Sequence, residues 1–246
     1  MFAVGVNALA ILVCAVVGKF LGNIFTDELK EIIYKALGLV ILLIGIQMAL
    51  QGLTDMSVGA LGRASSVLLV LSLVLGSIVG AYLHLQEGMY NLGLFFERTL
   101  HKILPAKHKN NADDGSPSFA TGFVSASVFF CAGAIGVLGS IQAGLGDNST
   151  LYLKAALDGA TALIFAATLG WGVTASAISV LVYQGVIVLF ADLLSPLISS
   201  EMLAGIGGVG GVMIMALGLN MLGYKEIPVI PMLPSIIFIV VAAYFL

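Results

Sequence analysis

The sequence predicts an all-α integral membrane protein with about eight transmembrane helices, or seven if one of the central helices is broken. First, 60% of the residues are hydrophobic and only 9% are charged, whereas soluble domains average roughly a quarter charged residues. Second, the apolar runs are about 18 to 22 residues long, the length that carries a helix across ~30 Å of hydrocarbon. Third, the two ends of the chain resemble each other, which predicts a three-helix repeat on either side of a central helix pair.

Residues 1–86 form the first predicted three-helix unit. Its helices are expected at 3–20, from the region of Thr26 to Gly52, and at 66–85. Thr26 followed by two acidic residues is typical of a helix N-cap and first turn. No basic n-region precedes the first apolar run, so we expect a permanent helix there rather than a cleaved signal peptide.

Residues 87–117 are predicted to lie on the cytoplasmic side. The segment 88–104 mixes aromatic and apolar residues with charged ones and is too charged for a transmembrane helix. This pattern indicates an amphipathic helix on the membrane surface. The segment 107–117 is polar and rich in turn residues, which predicts a mobile loop.

Residues 118–173 form the predicted central helix pair, with helices at 119–142 and 153–170. The first of these helices carries three glycines spaced three apart, Gly133, Gly136 and Gly139. Such glycines either thin one helix face for close packing or allow the helix to unwind. Close packing is the more common use of small residues in membrane helices, so it is the favoured interpretation.

Residues 174–246 form the second predicted unit. Its helices are expected at 174–194, 203–223 and 229–246. Residues 26–51 align with 199–224 without a gap. The matched positions are Glu28 with Glu201, Gly38 with Gly211, Gly45 with Gly218, Gln47 with Asn220, and Met48 with Met221. Five predicted helices separate the starts of the two copies, and an odd number places the copies in opposite orientations. The sequence therefore predicts an inverted-topology repeat.

The positive charges predict the orientation of the chain. If the N-terminus is outside, eight Lys and Arg residues fall on the cytoplasmic side and two fall outside, as the positive-inside rule expects. The cytoplasmic set is Lys19, Lys30, Lys35, Arg98, Lys102, Lys107, Lys109 and Lys225, and the outer set is Arg63 and Lys154. We therefore expect a multi-pass protein of the bacterial cytoplasmic membrane with both termini outside.

Asp158 is the leading candidate for a functional residue. An ionisable group inside an apolar span is costly and usually faces a partner or a wet cavity. Asp158 lies only about one helical turn into its span, so a structural role near the outer interface is an equal alternative. If it is functional, we expect it to bind a cation or to carry a proton.

Other small polar side chains line the same region and are candidates for the site. These are Ser125, Ser127, Gln142 and Thr161, with Gln47 and Asn220 flanking them from the two repeats. Hydroxyls in membrane helices most often bond to a carbonyl one turn back, so each alone is a weak signal. For the amides of Asn7 and Gln184, contacts between helices are the favoured interpretation.

Several classes of function are not indicated. No HExxH, no GxSxG with a matching His and acid, and no phosphate-binding loop followed by Lys is present, so the sequence does not suggest an enzyme. Cys14 and Cys131 fall in apolar spans, and we expect neither a disulfide nor a metal site. No cofactor is indicated. Nucleic-acid binding is not suggested by a formal net charge of −3.

The chain resembles the bacterial DUF554, or YqgA-like, family of membrane proteins. The resemblance rests on VNALAILV near the start, ALGLVILLIGIQMAL, GFVSASVFFCAGAIGVLGSIQAGLGD, LYLKAALDGATALIFAATLGWGV with SVLVYQG, and GLNMLG near the end. It covers nearly the whole chain. It implies a bacterial inner-membrane protein, in a family without an assigned function whose members are often described as transporters. It supplies no catalytic residues.

The leading hypothesis is a small secondary transporter or channel-like protein with its site at the interface of the inverted repeats. One buried acid without a buried base favours a small cation or a neutral polar solute, with Na⁺ or H⁺ coupling. Its small-residue faces predict a homodimer in the lipid bilayer. The alternative is a non-transporting scaffold or regulatory module that acts through partner proteins. A water-accessible cavity at Asp158 would favour transport, and a dry, packed interior would favour the scaffold.

Overall fold

The computed structural model describes residues 1–22, 24–58, 62–103, 118–224 and 226–245. Over these ranges the chain forms eleven α-helices and no strand. The helices are α1 (Phe2–Gly22), α2 (Asp27–Val58), α3 (Ser65–Tyr82), α4 (Leu85–Ile103), α5 (Phe119–Cys131), α6 (Ala134–Gly144), α7 (Ser149–Leu169), α8 (Gly172–Leu189), α9 (Ala191–Leu194), α10 (Ser200–Met221) and α11 (Ser235–Phe245). The loop predicted at 107–117 lies outside the described residues.

Six of these helices are long and apolar enough to cross a membrane, namely α1, α2, α3, α7, α8 and α10. Composition sets their positions, because the ends of an apolar run of this length mark where a helix meets water. The start of α2 follows the predicted cap: the hydroxyl oxygen of Thr26 accepts a hydrogen bond from the Leu29 N–H at 3.3 Å. The all-helical fold with several membrane-length helices is therefore confirmed.

The amphipathic segment forms α4, which is not among the six membrane-length helices. It packs on α5, where Gly93 faces Ala120 and the Phe96 ring lies edge-on to Phe123 with centroids 5.5 Å apart. Location of α4 on the cytoplasmic membrane surface stays a prediction.

The first central helix is broken. α5 ends at Cys131, α6 begins at Ala134, and the two axes meet at 63°. Gly133 lies between them with extended backbone angles, φ −86° and ψ 141°. The two interpretations of the glycine run thus apply to different residues. Gly133 lies at the break, whereas Gly136 and Gly139 lie within the helical α6 and allow close packing.

The bent pair α5–α6 advances along α8 in one direction from end to end. The contacts, in order, are Phe119 with Gly172, Ser127 with Ser179, and Gly144 with the Val188 carbonyl. A chain that turned back would instead contact the same part of α8 twice. The pair therefore has the geometry of one broken crossing and supplies a seventh candidate span.

The direction of α7 agrees with that interpretation. Gly18 of α1 packs on Leu163 and Gly22 packs on Ala167, so α1 and α7 run parallel. Two helices on one chain run parallel when an odd number of crossings lies between them. α2, α3 and the α5–α6 pair give three.

The longest helix contact in the described structure is that of α2 with α10, which run antiparallel. Glycines from both helices allow the backbones to meet along the contact. The facing positions are Gly38 with Gly218, Gly45 with Gly211, and Gly52 with Gly208. α3 also runs antiparallel to the C-terminal segment, with Gly76 against Ser235 at the start of α11 and Gly80 against Pro231 in the turn before it. Close backbone approach through small residues is the usual basis of helix association in membranes.

The main apolar core lies between the α2–α10 pair and the group formed by α1, α5, α7 and α8. Phe165 of α7 is fully buried there and packs against Phe129 and Phe130, with ring centroids 5.1 and 6.1 Å away. Gly210 of α10 contacts the carbonyl of Ala132 at the bend. The broken helix thus lies where the two groups meet.

The C-terminal segment differs from the predicted helix at 229–246. It consists of a 3-10 turn, Ile230–Met232, followed by α11. Proline lacks the N–H that a helix interior requires, so Pro231 and Pro234 delay the start of the α-helix. At about 1.5 Å per residue, α11 alone is shorter than ~30 Å of hydrocarbon. An eighth crossing therefore stays a prediction.

The turn before α7 carries an exposed acid. The Asp147 carboxylate accepts hydrogen bonds from the Ser149 hydroxyl at 2.6 Å and the Ser149 N–H at 3.0 Å. These two donors hold the pKa of Asp147 below its usual value, with the hydroxyl making the larger contribution. At the other end of α7, Gly170 adopts φ 80°, a conformation that favours glycine, and the chain turns directly into α8.

Candidate functional site

Three helices bring four polar side chains together inside the apolar bundle. Asn7 comes from α1, Lys154 and Asp158 come from α7, and Gln184 comes from α8. Their exposed fractions are 0%, 8%, 5% and 0%, respectively. We call this set the buried quartet. Its burial is notable because ionisable groups in membrane helices are costly unless they are paired.

An ion pair lies at the centre of the quartet. The Lys154 Nζ donates to both carboxylate oxygens of Asp158, at 2.8 and 2.7 Å. The Asn7 Nδ2 donates to the same carboxylate at 3.1 Å, and also to the Gln184 Oε1 at 3.1 Å. Charge-assisted bonds of this kind are stronger than neutral ones. The quartet is therefore one connected network that joins α1, α7 and α8.

Helix geometry explains why these residues meet. Lys154 and Asp158 are four apart on α7, so they lie on one face of the helix. Asn7 belongs to the buried stripe of α1, between Val4 and Ile11. α1 and α8 run antiparallel, with Phe20 beside Trp171 at one end, and this places the N-terminal half of α1 level with the C-terminal half of α8.

The first turn of α6 faces the quartet. A Cβ built at Gly136 would lie 3.4 Å from the Lys154 Cε and 3.9 Å from the Gln184 Nε2, with the Tyr183 ring at 3.6 Å. Cys131, at the end of α5, lies within electrostatic range of Lys154 and Asp158. The ion pair is thus adjacent to the break between α5 and α6.

Two polar atoms of the quartet have no hydrogen-bond partner among the described residues, the Asn7 Oδ1 and the Gln184 Nε2. Buried polar groups are nearly always paired, so an unpaired donor and an unpaired acceptor in one cluster require an explanation. Both side chains are fully buried, so solvent at the protein surface does not supply the missing hydrogen bonds. The cluster therefore retains hydrogen-bonding groups that a ligand can use.

Of the residues predicted from the sequence, Asp158 and Gly136 are part of this site, and the other central candidates are not. The Gln142 Oε1 accepts from the Thr150 hydroxyl at 2.6 Å. The Thr161 hydroxyl donates to the carbonyl of Leu157 one turn back, at 2.9 Å. Gly139 packs against Leu151 and Thr150. These contacts are local to α6 and α7 and lie outside the buried quartet.

The remaining hydroxyls and the paired amides also lie elsewhere. The Ser127 hydroxyl donates to the Ser179 hydroxyl at 3.0 Å, and Ser125 is buried. Asn220 holds the segment before α11, since its amide exchanges two hydrogen bonds with the backbone of Ile227, at 2.8 and 2.7 Å. Gln47 lies on an exposed face of α2. Neither amide flanks Asp158.

The sequence predicted Lys154 on the outer side of the membrane and Asp158 as a buried acid without a buried base. The absence of a buried base is wrong, because Lys154 is itself buried and forms an ion pair with Asp158. The i, i+4 spacing of Lys154 and Asp158 in the sequence already indicated that the two side chains could pair on one face of a helix. Asn7 and Gln184 were expected to make contacts between helices, which they do, but their meeting at Asp158 depends on tertiary packing.

These features define an all-helical, multi-pass membrane protein with a buried ionic network beside a broken helix. The family model for proteins of unknown function DUF554 matches residues 2–244, and the chain belongs to that family. It is 29% identical over 238 residues to the uncharacterized membrane protein YdfK of Bacillus subtilis (strain 168), covering 96% of this chain and 93% of that protein. It is 31% identical over 233 residues to the uncharacterized protein YqgA of Escherichia coli (strain K12), covering 94% of this chain and 92% of that protein. No solved structure matches the chain.

Proposed function

We propose that this protein is a small secondary transporter of a polar solute, with its binding site at the buried quartet and with Asp158 as the group that takes up a coupling proton. The observation that carries the proposal is the ion pair of Lys154 and Asp158, enclosed in the bundle next to a broken helix. Transporters commonly place their sites at such helix breaks near the centre of the membrane.

The unpaired amide atoms support a ligand site over a scaffold. A scaffold is best served by a packed interior in which every polar atom is satisfied. The quartet is closed to the outside, so the water-accessible cavity at Asp158 that would favour transport is not seen in the described structure. The observation that favours a ligand site is instead that the Asn7 Oδ1 and the Gln184 Nε2 have no partner among the described residues. An enclosed site with unused hydrogen-bonding groups fits the occluded state of a transporter.

The helix arrangement supports an inverted repeat as the basis of alternating access. If α1, α2 and α3 correspond to α8, α10 and α11, then each helix contacts its own counterpart in antiparallel orientation. The contact of Gly38 with Gly218 becomes that of Gly211 with Gly45 when each residue is replaced by its counterpart in the alignment. The parallel pair of α1 with α7 corresponds to the parallel pair of α8 with α5–α6. This is the relation expected of two halves about a pseudo-two-fold axis.

The proposed step at Asp158 follows from its partners. While the carboxylate is ionised, Lys154 and Asn7 hold it and the network is closed. A proton on the carboxylate removes its charge and weakens the bond to Lys154. Lys154 and Gln184 are then free to bind the solute. The presence of Lys154 removes the reason for preferring a cation, because a metal cation would have to displace the ammonium group.

Flux measurements in proteoliposomes test the proposal. The wild type is compared with Asp158→Asn and with Asp192→Asn, an exposed acid on α9 that serves as the matched control. Na⁺ and a panel of small polar solutes are each applied as a gradient, and proton movement is followed with an internal pH-sensitive dye. We expect at least one solute to drive proton flux that Asp158→Asn abolishes and Asp192→Asn preserves. Absence of any flux, or flux indifferent to Asp158→Asn, refutes the proposal and favours the scaffold.

A further inference from the structure

We infer that the solute is a small anion, bound between the first turn of α6, Lys154 and Gln184, and that one proton on Asp158 enters with each anion. We call this set the anion subsite. The inference rests on the proposed function and names the class of solute. It follows from the hydrogen-bonding balance of the quartet, from the position of α6, and from the charge of the ion pair.

Donors outnumber acceptors around the quartet. Gln184 is fully buried and its Nε2, which carries two N–H bonds, has no partner in the part of the chain that the structure describes. Lys154 has three N–H bonds, of which two are directed to Asp158. The unused acceptor is the Asn7 Oδ1. A ligand that accepts hydrogen bonds fits this balance, whereas a metal cation would need several free oxygen ligands.

The helix α6 adds a further positive end at the same place. It is eleven residues long, and its N-cap, Gly133, has no side chain to occupy the first-turn N–H groups, of which that of Gly136 donates to the Gly133 carbonyl. Helix N-termini carry a partial positive charge and bind anions through their N–H groups. Gly136 is the third residue of α6, and a Cβ there would lie 3.9 Å from the unpaired Gln184 Nε2. Because Gly136 has no side chain, a ligand bound by Gln184 and Lys154 can approach the first turn of α6.

The charge of the pair explains coupling to a proton. An anion entering the neutral pair would lie next to the Asp158 carboxylate and be repelled. When a proton adds to a carboxylate oxygen of Asp158, forming an O–H bond, the ammonium of Lys154 is left unbalanced. One bound anion then restores neutrality. No covalent bond to the anion forms, and the proton leaves from the same oxygen after the anion is released.

Titratable groups around the ion pair come from several helices. They are Lys154 on α7, Cys131 at the end of α5, Tyr183 on α8, which like Lys154 lies beside Gly136, and Cys14 of α1, which lies beside Gly159. Among them Lys154 bonds directly to the carboxylate. The neutral amide of Asn7 is the contribution of α1 to the carboxylate itself. Proton uptake linked to an anion is therefore assigned to the Lys154–Asp158 pair.

Proton uptake on anion binding is the primary test. The purified full-length protein, in weakly buffered detergent solution with a pH indicator, receives chloride or formate, with gluconate as the large control anion. We expect close to one proton taken up per bound chloride or formate, measured against binding of the radiolabelled anion, and none with gluconate. The wild type alone suffices for this measurement, so it does not depend on the folding of any variant. Lack of proton uptake with both small anions overturns the inference.

Three variants locate the subsite. Asp158→Asn imitates the protonated acid, so anions should still bind but without proton uptake, and chloride should raise its melting temperature more than that of the wild type. Gln184→Met should weaken anion binding by about tenfold, the loss of roughly one hydrogen bond to a charged group. Gln142→Met, an amide bonded to Thr150 outside the quartet, should bind as the wild type does. Equal loss in both glutamine variants would exclude the anion subsite.

Comparison with the flux experiment separates the two proposals. If a solute gradient drives proton flux that needs Asp158, but chloride and formate neither bind nor compete, the transporter stands and the anion subsite is refuted. If Na⁺ addition releases protons instead, the site takes a cation and the inference is again refuted. If anions bind with proton uptake but no solute is carried, the anion subsite stands and transport is refuted.

Discussion

Lys154 donates two hydrogen bonds to the carboxylate of Asp158, one turn further along α7, at 2.8 and 2.7 Å, inside the bundle. The same spacing occurs in the pair Lys35 and Glu31 of α2, where the N–O distance is 2.6 Å but the side chains are 58% and 66% exposed. The two pairs differ strongly in burial, and also in the order of acid and base along the helix. This difference allows the energetic consequence of burial to be measured within one protein.

The buried pair should show strong coupling in a double-mutant cycle. Removal of one partner by Asp158→Leu or Lys154→Met leaves a buried charge unpaired, and each variant should lower the free energy of unfolding by about 3–5 kcal/mol. The double variant removes both charges and should lower the free energy of unfolding by far less than the sum of the two single variants. Equilibrium unfolding in mixed detergent micelles gives the free energies. In the exposed pair, Glu31→Leu and Lys35→Met should couple only weakly, because water screens the two charges. Similar coupling in the two pairs would contradict the enclosed network.

Local sequence properties were enough to place the membrane helices and to select Asp158. The first helix, predicted at 3–20, is Phe2–Gly22, because apolar length alone fixes such a boundary. The link from Asp158 through Asn7 to Gln184 was not found, because Asn7 is 151 residues from Asp158 and 177 residues from Gln184. These residues meet only through the packing of α1 on α7 and α8. Lys154 was within reach of sequence reasoning, since its spacing from Asp158 is helical.

The bend between α5 and α6 illustrates a second limit. Glycine spacing indicated either packing or unwinding, and one run of glycines serves both purposes. Which glycine breaks the helix depends on what contacts it. Gly210 of α10 approaches the Ala132 carbonyl at the bend, and no local pattern in residues 119–142 contains that information. The homodimer and the orientation of the chain in the membrane stay predictions.

The backbone contact of α2 with α10 should be sensitive to the smallest added group. A Cβ at Gly45 would collide with the backbone of Met215 and Gly211. The added methyl group can be accommodated only if the two helices move apart, so Gly45→Ala should lower the free energy of unfolding by about 1–3 kcal/mol. Gly5→Ala is the matched control, because a Cβ at Gly5 of α1 meets nothing within 4 Å. It should be neutral or stabilise by up to about 1 kcal/mol through helix propensity. Both are measured by the same unfolding assay, and equal effects would argue against the close contact.

A disulfide can test the parallel arrangement of α1 and α7. A Cβ built at Gly159 would lie 3.2 Å from the Sγ of Cys14, close to the separation across a disulfide. Oxidation of Gly159→Cys should therefore join it to the native Cys14, which peptide mass mapping detects. Gly185→Cys, with nothing within 4 Å of its Cβ, should give no such product. Failure of the first variant to form the bond while folded would mean that the two helices do not pair in this register.

Accessibility of the loops on either side of α5–α6 tests whether the bent pair crosses the membrane. A crossing places Ser118, before α5, and Gly146, after α6, on opposite sides. In a background of Cys14→Ser and Cys131→Ser, a single cysteine replaces Ser118 or Gly146, and cells are treated with a membrane-impermeant thiol reagent. With the N-terminus outside, Gly146→Cys should be labelled in intact cells and Ser118→Cys only after permeabilisation, and an N-terminal reporter should share the side of Gly146. Labelling of both cysteines from one side would show a re-entrant loop, while labelling of Ser118→Cys alone would reverse the predicted orientation but keep the crossing.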